Sequence, residues 1–395
     1  MNDPLAQARE HFLHGIAEFE AGRDTNARAA FQAALALAPG RLSVMVNLAA
    51  THFRLGEFAA ARELLLQIVA AEPDNREARV QLGLCEEALG HWQAAGQAML
   101  AGLPPGAEAE LWLRCSHNFG RAGQLAAALQ AADQALAAAP AHAEAWSTRG
   151  GLLRELGRHD EAAAAFRQAI AHGGDNPLNR YYLASVGGAT QPAAPPAGYV
   201  QALFDDYADD FQQHLVGSLR YQGHRTLTEP LLRTGKRYPL AVDLGCGTGL
   251  CGEQLLPLVD HIDGVDLSGA MLEQARARNI YRRLEQSELK AFLATREEAA
   301  DLFIAADVFS YVGDLDGSFA AIRRLLKPGG CFAFTVEQLA ADDGFALQPC
   351  LRYHHSETYI RRLAGEHGFR VDNIAVHPLR YDQERPIPAL YVYLA

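Results

Sequence analysis

Residues 241–250 read AVDLGCGTGL and residues 261–272 read HIDGVDLSGAML. In the first stretch the apolar run Leu240, Ala241, Val242 ends on Asp243, and glycines follow at alternate positions, Gly245, Gly247 and Gly249. In the second, another apolar run closes on a second acid, Asp266. The pattern is a strand, a glycine loop opening a helix, and a second strand whose tip lies beside the first. Open parallel sheets bind ligands beyond the carboxyl ends of their strands, so these residues converge on one crevice. Glycines let the backbone approach a ligand with no Cβ in between, and an acid at the second tip can accept both hydroxyls of a ribose. The nicotinamide fingerprint G-x-G-x-x-G sets its third glycine one residue later, to seat a pyrophosphate on the helix N-terminus. Here the spacing is G-x-G-x-G with an acid two residues ahead. That acid repels a pyrophosphate and can hold an ammonium group. The implied ligand carries a ribose, an amino-acid tail and no phosphate; S-adenosylmethionine has that chemistry.

From residue 239 onward strand and helix patterns alternate, as in a doubly wound sheet. Strands are expected near 239–244, 261–266, 280–284, 301–306, 331–337, 370–376 and 389–394. The last two are joined by a proline-containing loop too short for a helix, which predicts an antiparallel hairpin.

The first half repeats. Gly22, Gly56, Gly90, Gly123 and Gly157 recur at intervals of 34, 34, 33 and 34 residues, and Ala27, Ala61, Ala95, Ala128 and Ala162 keep step with them. This is the tetratricopeptide period, one pair of antiparallel helices per unit. Glycine closes the first helix in a left-handed turn, and Pro39, Pro73 and Pro140 punctuate three units after the second helix. Trp146, Gly150, Phe166 and Ala169 make the fifth unit the most regular, and Pro104–Pro105 should shorten or bend the second helix of the third. Pro177–Val186 is expected as a capping helix on the open end of the stack. Residues 188–198, rich in glycine, alanine and proline, suggest a semi-rigid tether.

The chain of 395 residues suits two or three domains. Its net charge of −12 disfavours non-specific nucleic-acid binding. No apolar run spans a bilayer, and the first residues resemble no secretion signal. Six scattered cysteines without C-x-x-C pairs argue for reduced thiols, no structural zinc and a cytoplasmic setting.

On these motifs residues from about 199 to 395 resemble a class I S-adenosylmethionine-dependent methyltransferase, and residues from about 8 to 187 resemble tetratricopeptide repeats. The combination is similar to bacterial predicted methyltransferases with amino-terminal repeats. It implies an all-α solenoid over 1–187, a linker over 188–198, and an α/β Rossmann-like domain over 199–395 with a seven-stranded, mostly parallel sheet. It further implies that Asp243 and the loop Gly245, Cys246, Gly247, Gly249 hold the methionine part. Asp266 would hold the ribose, with Leu267 and Met271 packed on the adenine. Glu288 and Leu289 stand where an adenine-binding acid and apolar residue are usual; the alternative for Glu288 is a solvated acid. Asp307 and Val308, with Phe309, should face the methyl group.

The segment "FDDYADDFQQHLV" at 204–216 keeps most of the family's lid pattern, which puts Phe204 and Tyr207 over the cofactor within a cap at 199–235; a core helix is the alternative. For a hydroxyl acceptor a base is needed, and His355 in "RYHHSETY", with Tyr311 and Tyr207 nearby, is the implied catalytic set. His355 could instead anchor its loop, and Arg380 could meet a carboxylate or form an ion pair. "DVFS" at 307–310 lacks the prolines of enzymes that methylate amide or base nitrogens, which leaves oxygen, carbon or carboxylate acceptors.

The implied function is methyl transfer to such an acceptor, small or protein-borne, with the repeats binding a protein or peptide. Two alternatives remain: a repeat scaffold with a non-catalytic cofactor domain, and a small-molecule enzyme whose repeats dimerise.

Overall fold

The computed structural model describes residues 3–207, 221–340, 343–382 and 384–395, with backbone only for 197, 206, 207 and 382. It divides into two compact units, Met1–Asn179 and Arg180–Ala395.

The described residues of the N-terminal unit form ten helices, α1 (Pro4–Glu20) to α10 (His159–Ala171), in five successive pairs. The five periodic glycines all sit in the left-handed region, with φ between 71° and 76°. After each, the next residue returns its N–H to the carbonyl five positions back, as in Arg23 N to Glu18 O at 2.9 Å and Arg158 N to Leu153 O at 2.8 Å. That is the Schellman closure, and it turns the chain tightly enough for the second helix to fold onto the first. The alanines at the matching positions, Ala27 through Ala162, are fully buried where the paired helices meet. A second set of glycines works inside the helices. A Cβ on Gly15 would lie 2.6 Å from the ring of Phe31, and one on Gly150 would lie 2.7 Å from the ring of Phe166. Each glycine vacates the room its unit's buried phenylalanine fills. In the third pair the second helix, Trp92–Gly102, has 11 residues against 14 in Leu125–Ala138 of the fourth. Pro104 and Pro105 follow it and cannot extend the helix.

The C-terminal unit is a twisted α/β sheet. After α11 (Pro177–Ser185), α12 (Ala197–Tyr207) and α13 (Gly223–Thr234) come β1 (Tyr238–Leu244), α14 (Leu250–Leu255), β2 (Val259–Asp266), α15 (Gly269–Ala277), β3 (Arg283–Gln286), α16 (Leu289–Thr295), β4 (Ala300–Ala305), α17 (Asp316–Leu325) and β5 (Leu326–Gln338). The chain ends with β6 (Phe345–Leu347), β7 (Tyr353–His355), α18 (Glu357–Glu366), β8 (Val371–Asp382) and β9 (Arg385–Leu394). Strands β3, β2, β1, β4 and β5 are parallel in that order, and β9 joins β5 antiparallel with β8 outside it. The central strands bury both faces, which is why β1 and β4 read as continuous apolar runs. Phe303, Phe332 and Phe334 pack with Phe309 and Phe319 on one face; Ala241, Leu302, Ile304 and Tyr391 pack with Leu227 and Leu231 on the other. The register aligns Asp243 with Gly264 on one side and with Ile304 on the other, so the tips of β2, β1 and β4 form one row.

Among the described residues the sheet has nine strands, where seven were expected. The additional pair, β6 and β7, has three residues per strand and extends the sheet beyond the end of β5. Three residues cannot establish an alternating pattern. The division between the two compact units falls at Asn179/Arg180. The proline-rich segment is laid against the C-terminal unit. Gln191 pairs its side-chain amide with Phe345 O at 2.9 Å and Leu347 N at 2.8 Å. Tyr353 donates its hydroxyl to Pro192 O at 2.8 Å, and Gly313 N and Asp314 N both donate to Ala193 O. Proline removes donors but leaves carbonyls free, and the neighbouring loop uses them. No described helix is long and apolar enough to cross a membrane.

Gly150→Ala is expected to lower the stability of the full chain by about 1–3 kcal/mol through overpacking against Phe166. The adjacent Gly151→Ala, whose added methyl meets nothing within 4 Å, should be neutral or stabilising by up to about 1 kcal/mol. Urea unfolding followed by circular dichroism separates the two.

Candidate active site

The tips of β1, β2 and β4 open into a cavity of about 600 Å³. Its floor is the glycine loop. Gly245, Gly247 and Gly249 have φ of 62°, 52° and 90°, a succession that only glycine accepts without strain. A Cβ on Gly245 would strike Val308 at 2.5 Å, while the Cβ position of Gly247 is empty space within 4 Å. The loop thus packs tightly against the β4 side and leaves open backbone in the middle.

Asp266, at the end of β2, ties the loop to the next turn. Its Oδ2 accepts from Gly247 N at 2.8 Å and its Oδ1 from Ser268 N at 2.9 Å. Ser268 in turn caps α15, accepting from Met271 N, and donates its hydroxyl to Asp205 on α12 at 2.6 Å. That bond holds α12 where Phe204 reaches the cavity and lies edge-on to Tyr311, with ring centroids 5.3 Å apart.

Asp243 is 1% exposed. Burial pushes its carboxyl up to about 7, against the downward pull of the Tyr281 hydroxyl that donates to it at 2.7 Å. Burial also raises Asp266. Burial drives the Cys246 thiol well above its ordinary value, helped by the Asp243 and Asp266 charges, so it does not ionise. Two buried polar atoms of cavity-lining residues, Thr248 Oγ1 and His224 Nδ1, have no hydrogen-bond partner among the described residues. Burial lowers His224 to about 4, so its ring is neutral near pH 7.

The other end of the cavity is an ion cluster. Asp307, at φ 58° in the turn after β4, donates its N–H to Thr335 Oγ1 at 2.8 Å. Arg380 on β8 is buried and reaches Asp307 Oδ2 at 3.2 Å and Glu337 Oε1 at 2.6 Å. Arg352 lines the cavity, bonds Asp307 Oδ1 at 3.2 Å and Glu337 Oε1 at 3.3 Å, and lies 5.0 Å from the ring centroid of Tyr311. His354 Nε2 sits 3.0 Å from Glu337 Oε2, off the hydrogen-bonding direction, so the contact is ionic. Burial opposes charge on both partners. Even so, His354, Arg380 and Arg352 pull Glu337 down to about 2, while Cys350 and Glu337 push His354 up to about 9. Glu337, Cys350 and His354 bring three metal-type donor atoms within 4.8 Å of one another, but the Glu337 carboxylate is already shared by two guanidinium groups.

Of the residues singled out from the sequence, the cavity gathers Phe204, Asp243, Gly245, Cys246, Gly247, Asp266, Leu267, Met271, Glu288, Leu289, Asp307, Val308 and Tyr311. Glu288 also caps α16, accepting from Ala291 N at 2.9 Å. Gly249 is instead the N-cap of α14. Phe309 is fully buried in the aromatic core under the sheet rather than lining the cavity. His355 does not line it either: it is fully buried, stacks on Tyr359, and donates from Nε2 to Gly313 O at 2.9 Å. Burial lowers it to about 4. The Tyr207 side chain, and all of Phe211 and His214, lie outside the described residues. Arg352, His224 and Thr248 line the cavity without having been singled out. Arg352 stands inside the quoted "RYHHSETY", where an arginine against an aromatic pair was the available signal.

Arg380→Met is expected to cost about 3–5 kcal/mol, because it leaves buried Glu337 and half-buried Asp307 under-compensated. Adding Glu337→Gln should recover part of that loss, measured as a double-mutant cycle in urea.

A family model described as a methyltransferase domain matches residues 242–332, and two tetratricopeptide-repeat models match 18–79 and 116–177. A malonyl-[acyl-carrier protein] O-methyltransferase of Salmonella typhimurium is 29% identical over 137 residues, 35% of this chain and 53% of the relative. Dimethylglycine N-methyltransferase of Parasynechococcus marenigrum is 33% identical over 138 residues, 33% of this chain and 47% of the relative. The mitochondrial arginine-hydroxylase NDUFAF5 of Danio rerio is 23% identical over 189 residues, 44% of this chain and 56% of the relative. The chain spans about half the length of these curated relatives. It joins tetratricopeptide repeats to a domain of the methyltransferase family.

Proposed function

We propose that this protein transfers a methyl group from S-adenosylmethionine to an oxygen, carbon or carboxylate acceptor, and that the repeats bind the protein or peptide that presents it. The observation that carries the proposal is the row of tips holding Asp266, the glycine loop with Asp243, and Asp307 along one cavity. Adjacent strands are about 4.8 Å apart, so the outer two of these three tips stand roughly 10 Å apart across the cavity, with the glycine loop between them. The relatives' names include an O-methyltransferase, an N-methyltransferase and a hydroxylase, so they do not narrow the acceptor.

The residues present suit that cofactor. The open Cβ position at Gly247 lets the ligand lie on backbone. Buried Asp243 is a counter-charge for an ammonium group, and the unpartnered Thr248 hydroxyl can donate to the methionine carboxylate. Asp266 would take the ribose hydroxyls on its remaining lone pairs, and Leu267 and Met271 would cover the adenine.

When bound, S-adenosylmethionine supplies an electrophilic methyl carbon on a good leaving group. The protein's task is then largely placement. Holding the acceptor about 3–3.5 Å from that carbon can supply roughly 7–11 kcal/mol of the acceleration. Tyr311, pushed up to about 12 chiefly by burial, stays a neutral hydroxyl at the β4 end. Phe204 against it helps exclude water.

Calorimetric titration of the full chain with S-adenosylhomocysteine is expected to give heat where NAD gives none; the reverse would end the proposal. Because the ammonium needs ionised Asp243, affinity should be flat near pH 8 and fall by up to about tenfold per pH unit below about 7. Asp243→Asn should weaken binding at pH 8 and flatten the profile.

A further inference from the structure

The cavity's far end is unusual in its sign. A domain whose cofactor brings a sulfonium charge would be expected to counter it with acids, and two are present, Asp307 and Glu337. Both are already occupied. Arg380 spans them, with Nη1 on Asp307 Oδ2 at 3.2 Å and Nη2 on Glu337 Oε1 at 2.6 Å. His354 takes the other oxygen of Glu337 at 3.0 Å. Arg352 is therefore the cation in excess. Among the described residues both of its hydrogen bonds leave from Nη1, so Nε and Nη2 have no protein partner although the side chain is only 22% exposed. Those donors open to the cavity, where a ligand with paired acceptors can complete the guanidinium. The ring of Tyr311 lies under that guanidinium and lines the same cavity, and its hydroxyl has no hydrogen-bond partner among the described residues either.

We infer that the methyl acceptor carries a carboxylate, held by Arg352 and Tyr311, and that the product is a methyl ester. The inference rests on the methyl-transfer reading above and deepens it. A guanidinium matches the planar geometry of a carboxylate with two parallel donors. A protonated amine is rejected by the same group, and an uncharged hydroxyl leaves it unsatisfied. His354, held protonated near neutral pH, adds a third positive charge facing two carboxylates and strengthens the bias. The step balances without a base. One carboxylate oxygen forms a C–O bond to the methyl carbon as the C–S bond breaks, and the electron pair stays on sulfur. A positive and a negative charge disappear together and no proton moves. This suits a cavity from which His355 is excluded.

The test uses the full chain and methyl-tritiated S-adenosylmethionine, with an extract of the source cells as acceptor. Methyl esters release volatile methanol in mild alkali, whereas methylated amines, ethers and carbons do not. The expected result is label that becomes volatile at high pH. Arg352→Gln should lower that label at least tenfold and Arg352→Lys should retain part of it, with both variants binding S-adenosylhomocysteine within twofold of the parent. In the binding arm, glutarate should associate with the S-adenosylhomocysteine complex by ligand-observed NMR and glutaramide should not, and Arg352→Gln should abolish the difference. Alkali-stable label, or equal glutarate binding by Arg352→Gln, overturns the inference while methyl transfer stands. No labelled product despite S-adenosylhomocysteine binding overturns the methyl-transfer reading, and the inference with it.

Discussion

One carboxylate organises the cofactor end of the C-terminal unit. Asp266 accepts from Gly247 N in the glycine loop and from Ser268 N at the start of the next turn. Two loops that leave different strands are thereby held at a fixed separation, and α12 follows through Ser268 and Asp205. Phe204 can then reach the cavity. Two backbone N–H groups bonded to one carboxylate fix the spacing of the two loops before any ligand arrives. Pre-organisation of that kind lets binding energy go to the ligand rather than to ordering the loop.

The two ends of the cavity solve opposite electrostatic problems. At the β1 end buried Asp243 is under-compensated, with Tyr281 as its hydroxyl donor. At the β4–β5 end two guanidinium groups and His354 face two carboxylates, and among the described residues Arg352 keeps free donors. A ligand with a cationic head near one end and an anionic partner at the other relieves both. Neither end would be stable in isolation at such low exposure; each is tolerated because the sheet around it is closely packed.

Legibility from sequence followed the range of the interactions. The glycine and alanine periodicity reports a turn and a packing contact repeated within a single helix pair, and it located the five pairs directly. Asp243, the glycine loop and Asp266 are linked by neighbouring strands, so they too could be read locally. The Arg352–Asp307–Glu337–Arg380 cluster joins residues 45 and 73 positions apart, for which no local pattern exists. The H-S-x-x-Y run was visible but supports structure as well as any chemistry: Ser356 caps α18 by accepting from Tyr359 N at 3.1 Å, and His355 fastens the Gly313 turn. The short pair β6–β7 fell below the length at which alternation is detectable.

Residues 188–198 belong to the C-terminal unit by their contacts as well as by their place in the chain. Composition marks 188–198 as a spacer, yet Ala194 and Pro195 form part of the cavity wall, and Gln191, Pro192 and Ala193 are stitched to β6, β7 and the Gly313 turn. A chain severed at that compositional seam would lose one side of its binding chamber and expose the edge of β6. The hinge drawn by eye on the sequence is masonry in the molecule.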